Sequence, residues 1–177
     1  LTTLLNNLIS EPLDNGNKNF LPSSIQIATI DVGNTAANII PEIAKATVNI
    51  RYNDLHNSKS LTKWMQKHIN DVFDKIDKAS CVFEVEANGE SFLTEPGKLS
   101  TLITKSISDA TGRNSKPELA TDGGTSDARF IKDYCEVVEL GIRNQTLHQV
   151  DEFVFIEDIK MLQKVYLKLL ENYFNKI

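Results

Sequence analysis

The first hydrophobic positions are Leu1, Leu4, Leu5 and Leu8, a helical spacing that predicts an amphipathic helix, broken by the polar run Asp14-Asn-Gly-Asn17. From Ser24 to Val32 the chain becomes β-branched, with Ile25, Ile27, Ile30 and Val32, and Gly33-Asn34 turns it. Strict alternation follows from Ile43 to Tyr52. Ala44, Ala46, Val48, Ile50 and Tyr52 share one face, and Lys45, Thr47, Asn49 and Arg51 share the other. That pattern predicts a strand with one covered face. Leu61, Trp64, Met65, His68, Val72, Phe73 and Ile76 then form a helical stripe, with Ser58 or Ser60 as the expected cap. A last alternation puts Cys81, Phe83, Val85 and Ala87 inward and Glu84 and Glu86 outward. Helix, strand, strand, helix, strand predicts a two-layer α+β domain with helices on one face of an antiparallel sheet.

Asn88-Gly-Glu-Ser91 is the expected boundary, dividing the chain into residues 1–91 and 92–177. Beyond it, Pro96 suits the first position of a helix striped by Leu99, Leu102, Ile103, Ile107 and Ala110 and ended by Gly112. Asp122-Gly-Gly124 leads into a short helix expected from Thr125 to Lys132. Glu136 to Leu140 reads as a buried strand. Ile156, Ile159, Leu162, Val165, Tyr166, Leu169, Leu170 and Tyr173 predict a long terminal helix. Helix alternating with strand predicts part of an α/β layer.

Composition narrows the class. With 177 residues, 41% hydrophobic and 24% charged, the chain belongs with soluble globular proteins. A net charge of −5 and the lack of any Lys/Arg-rich run argue against nucleic-acid binding. No apolar run is long enough to suggest a membrane span, and no signal-peptide pattern is present. Cys81 and Cys135 lie in apolar runs without metal-ligand spacing, so buried free thiols in a reducing compartment are expected. The chain begins with Leu1 inside a helical pattern, so the sequence is expected to start in mid-protein.

Candidate chemistry concentrates in two segments. Gly123-Gly-Thr-Ser-Asp127 lets backbone approach a ligand, and a helix starting at Thr125 offers free N–H groups and hydroxyls to an anion. The same residues also suit a plain turn and N-cap. His148 sits in a polar loop after the expected strand, where α/β proteins place their sites, with Asp151 and Glu152 near enough to orient its ring. A surface histidine beside residues that merely charge the next helix is the other reading. Arg51 is either a solvated cation or a planar clamp for a carboxylate, and Asn38 either a turn residue or an amide donor. His56 and His68 read as structural, since neither has a ligand partner nearby in sequence.

Asn38-Ile-Ile-Pro41, Asn49-Ile-Arg51, Ser91-Phe-Leu-Thr94, Gly123-Gly-Thr-Ser-Asp-Ala-Arg-Phe130, Val137-Val-Glu-Leu-Gly141 and Asn144-x-Thr-x-His148-x-x-x-Glu152 follow in that order. This set resembles the M20 family of zinc-dependent amidohydrolases and peptidases, in its succinyl-diaminopimelate desuccinylase branch, from about Phe20 to the C-terminus. The resemblance implies a lid/dimerisation domain over residues 1–91 and the C-terminal part of an α/β catalytic domain over 92–177. It implies a cytoplasmic homodimer joined through the lid, two zinc ions per active site, and removal of succinate from N-succinyl-L,L-diaminopimelate for diaminopimelate and lysine synthesis. By the same likeness His148 is a zinc ligand, and Asn38, Arg51, Gly124, Thr125 and Asn144 contact substrate. No catalytic acid or base of the family has a counterpart in this chain. The family's other zinc ligands and its general-base glutamate are expected upstream of Leu1, leaving this chain inactive alone. Another M20 deacylase of acylated amino acids or peptides, or a non-catalytic α+β dimerisation module, are the alternatives.

Overall fold

A computed structural model describes residues 1–112, 116–121, 126–143 and 145–174. They form two compact units, the first built on Leu1–Leu93 and the second on Thr94–Ala120 and the C-terminal segment.

The first unit contains α1 (Thr2–Ile9), β1 (Ser24–Asp31), β2 (Lys45–Arg51) and α2 (Ser58–Phe73). The strands pair antiparallel from Ser24↔Arg51 to Asp31↔Lys45, with a register shift between Ile27 and Thr29. Ala28 is therefore the extra residue of a bulge. The expected face of β2 forms: Ala46, Val48 and Ile50 are half-buried, while Lys45, Thr47, Asn49 and Arg51 are exposed. Leu4, Leu5 and Leu8 from α1 meet Met65, Ile69 and Val72 from α2, and Ile27, Ala46, Val48 and Ile50 pack against them. Each buried leucine contributes roughly 2 kcal/mol on removal from water. Both helices thus cover one side of the sheet, as the sequence pattern predicts.

Two details differ. The cap of α2 is Asn57: its side chain accepts from Ser60 N–H at 2.9 Å, and Ser60 Oγ accepts from Asn57 N–H at 3.0 Å. The helix then starts at Ser58, and the reciprocal pair satisfies donors that neither serine could serve alone. The predicted strand over Cys81–Ala87 does not form. Phe83 packs against the core, but Cys81 is exposed, as are Val82 at 87% and Val85 at 52%. Alternation says which faces a strand would show, but a ladder also needs a free edge and a partner.

The second unit comprises α3 (Lys98–Thr111), α4 (Ala128–Ile131) and α5 (Ile156–Phe174). Leu102, Ile103 and the fully enclosed Ser106 of α3 are buried, as is Val165 of α5. Asn172 on α5 donates to Ser106 Oγ and to Asp109 Oδ2, each at 3.1 Å, and so stitches the two helices. The helix starts at Lys98 with Gly97 as its cap, so Pro96 lies just before the cap and not at the first helical position expected of it. The carboxylate of Glu136 accepts from Leu99 N–H at 3.0 Å and Lys98 N–H at 3.3 Å, occupying the helix end that a side chain on residue 97 would fill. Gly112 ends the helix with φ 67°, as expected.

The strand predicted over Glu136–Leu140 is absent, and the second unit has no strand among the described residues. The expected α/β layering is therefore not seen there; an extended segment with no neighbouring strand has no ladder to join. Val137 and Val138 are half-buried rather than enclosed, and Cys135 is exposed, contrary to the buried-thiol expectation. The short helix α4 begins at Ala128, later than predicted. No helix among the described residues is long and apolar enough to cross a membrane.

Candidate functional site

In the first unit, Arg51 is the last residue of β2, opposite Ser24, with its side chain exposed. Among the described residues it forms no salt bridge, so its guanidinium is free to meet an anion. Its backbone is held from behind. The next residues turn inward, and Asn53 is buried at 3% exposure. Asn53 N–H donates to Ser23 Oγ at 3.1 Å, and its amide donates to Asp14 Oδ1 at 2.7 Å and to the Leu21 carbonyl at 3.0 Å. His56 Nε2 lies 3.1 Å from Asp14 Oδ2, which gives His56 the structural place expected of it. His68 is half-buried, its ring 4.4 Å from that of Trp64, and is likewise structural.

Asp14 also accepts from Gly16 N–H at 2.6 Å and Ser23 N–H at 3.2 Å. Burial pushes its carboxyl up, but bonds from the Ser23 hydroxyl, Gly16, Asn53 and Ser23 N–H outweigh that and hold it well below the usual carboxylate range. Nearby, Tyr52 donates to the Gly89 carbonyl at 2.8 Å and to Glu90 Oε2 at 3.1 Å. Burial first, then the bond to Glu90 and its charge, push the Tyr52 hydroxyl up to about 12. Glu90 in turn is held below its ordinary value by the Ser58 hydroxyl, against the opposing effect of burial.

Asn38 lies exposed in the turn between the strands. Its neighbour Asn34 organises that turn, donating to the carbonyls of Ala36 at 3.0 Å and Ile39 at 2.8 Å and accepting from Ala36 N–H at 3.2 Å. No hydrogen bond joins Asn38 to Arg51 among the described residues. Sequence reasoning read Gly33-Asn34 as the turn after β1 and singled out Asn38 beyond it, and the hydrogen bonds that shape the turn are those of Asn34.

In the second unit, His148 is exposed on a turn, with φ 61°. Its backbone N–H donates to Glu152 Oε2 at 3.3 Å. Glu152 therefore reaches the main chain of His148, not its ring, which corrects the expected role. The ring makes no hydrogen bond among the described residues. The loop is closed at its base by Thr146 and Phe153. Gly124, Thr125 and Asn144 lie outside the described residues.

An exposed imidazole without a ring partner has the right chemistry for a metal ligand, since the neutral ring nitrogen is a strong donor to zinc. Among the described residues no group of three or more His, Cys, Asp or Glu side chains could hold a metal. His148 can supply one ligand, and a closed coordination sphere requires others.

Residues 1–77 match the M20 family's peptidase dimerisation domain. The chain is 45% identical over 174 residues to a succinyl-diaminopimelate desuccinylase of Parvibaculum lavamentivorans, covering 98% of this chain and 43% of that protein. The desuccinylases of Ruegeria pomeroyi and Caulobacter vibrioides are each 46% identical over 98% of this chain. The chain spans 45% and 44% of their respective lengths, less than half of these relatives.

Proposed function

Since this chain belongs to the M20 peptidase family, we propose that it forms the dimerisation domain and a substrate-binding, metal-ligating portion of a succinyl-diaminopimelate desuccinylase, acting as a cytoplasmic homodimer. The reaction is hydrolysis of an amide. Water adds to the acyl carbon, the C–N bond breaks, and succinate and the free amine of L,L-diaminopimelate leave.

The exposed ring of His148 at the tip of a closed loop carries this reading. That ring would hold one of two zinc ions. When bound, the pair supplies carbonyl polarisation and an acidified water. Arg51 binds a substrate carboxylate through its planar donors, which is the task suited to an exposed guanidinium at a strand end with no salt bridge among the described residues. Asn38 adds an amide donor from the ordered turn, and Gly124, Thr125 and Asn144 add backbone, hydroxyl and amide donors. With one ligand in this chain, turnover requires the rest of the subunit, and the chain alone is inactive.

The test is His148→Ala in the full-length protein. One zinc per subunit should be lost, with activity on succinyl-diaminopimelate falling by roughly a thousand-fold, the scale of several kcal/mol of transition-state stabilisation. Metal analysis finding both zincs retained overturns the assignment. Turnover by residues 1–177 alone at the full protein's rate overturns the requirement for further ligands.

A further inference from the structure

We propose that Thr146 is a positioning residue for His148, its hydroxyl closing the loop that aims the imidazole. The inference rests on the reading of His148 as a metal ligand and deepens it. Thr146 Oγ1 donates to the Phe153 carbonyl at 2.9 Å and accepts from the Phe153 N–H at 3.1 Å. One hydroxyl thus performs both hydrogen-bonding functions of a paired strand residue and fastens the two ends of the loop. Inside the loop, Gln149 N–H donates to the Thr146 carbonyl at 3.0 Å, and His148 N–H donates to Glu152.

Two residues of this loop adopt left-handed backbone, His148 at φ 61° and Asp151 at φ 62°. Side chains with a Cβ enter that region sparingly, and surrounding contacts must hold them there. The direction of a ligating imidazole is usually set by an acceptor on its second nitrogen. Here the ring has no such partner among the described residues. What the fold fixes is the Cα–Cβ direction at residue 148, through a backbone that the Thr146–Phe153 clasp and the Glu152 carboxylate hold. Serine keeps a hydroxyl that can both donate and accept. Valine keeps the shape and loses both functions.

Thr146→Val, Thr146→Ser and His148→Ala are compared in the full-length protein, loaded with zinc and separately with cobalt(II) as a spectroscopic probe. Thr146→Val should weaken one of the two metals by about 10-fold or more and alter the cobalt absorption bands, while Thr146→Ser restores both. Parent-like affinity and spectrum in Thr146→Val, alongside loss of one metal in His148→Ala, overturn the clasp and leave the ligand reading standing. Thr146→Ser weakened as much as Thr146→Val also overturns it, because the methyl rather than the hydroxyl would then matter. Retention of both metals by His148→Ala overturns the ligand reading and this proposal with it. If Thr146→Val does not fold, Thr146→Ala, which removes the same hydroxyl, replaces it: weakened affinity for one metal supports the proposal, and parent-like affinity overturns it.

Discussion

Asp14 is the residue on which the first unit's polar framework converges, because its carboxylate receives donors from Gly16, Ser23, Asn53 and His56. Removing it strands several donors beside a buried asparagine. Asp14→Ala should therefore cost about 3 kcal/mol, read as a lowered urea midpoint. The sign of its pH dependence follows from its depressed folded value. The stabilisation is full above the unfolded carboxylate pKa of about 4 and is lost as pH falls towards the folded value. Asp14→Asn should flatten the acid limb of stability below about pH 4, and an unchanged limb would refute the role. Tyr52 has the opposite sign, contributing below about 10 and losing its contribution as pH rises through its folded value of about 12. Arg51→Ala should raise KM for carboxylate-bearing substrates about 10- to 100-fold, the worth of one charged hydrogen bond, with metal content unchanged. Arg51, Asn38 and His148 could be singled out because their residue types and neighbours form a motif. Asp14 could not: Asn53 and His56 lie 39 and 42 positions downstream, and a local pattern sees only a polar break.

Helices were more legible than strands, for a physical reason. An α-helix closes its hydrogen bonds within its own segment, so Leu4, Leu5 and Leu8, or Leu102 and Ile103, reveal it by spacing. A strand depends on an edge supplied elsewhere, and Cys81–Ala87 and Glu136–Leu140 carry the pattern without the partner. The bulge at Ala28 was nevertheless written in the chain, since Ile25 and Ile27 fall on one parity and Ile30 and Val32 on the other. The N-cap of α2 was misplaced because a cap is a pair of groups in space. Asn57→Ala should cost about 1 kcal/mol by releasing the first turn of α2, visible as faster amide exchange at Ser60. Gly97→Ala should destabilise α3 by about 1 kcal/mol by displacing the Glu136 carboxylate, and Glu136→Ala should abolish the difference in thermal melts.

Across the whole molecule, apolar side chains remain on the surface of both units. Ile40 is 91% exposed and Val82 87% in the first, and Tyr134 is 87% and Val150 93% in the second. The stretch that matches a dimerisation domain lies in the first of these units. Sedimentation equilibrium should therefore report a dimer governed by residues 1–77, the stretch matched to a dimerisation domain, and a monomer at micromolar concentration would contradict it. Layering of the first unit was legible from sequence, because its helices and paired strands carry complementary apolar faces. That of the second was not, because its predicted strand finds no ladder among the described residues. The two exposed cysteines have a practical side. Cys81 belongs to one unit and Cys135 to the other, and they are the chain's only thiols. A maleimide dye or nitroxide will mark each unit once without any engineering, so resonance transfer or dipolar spectroscopy can follow the separation of the units directly.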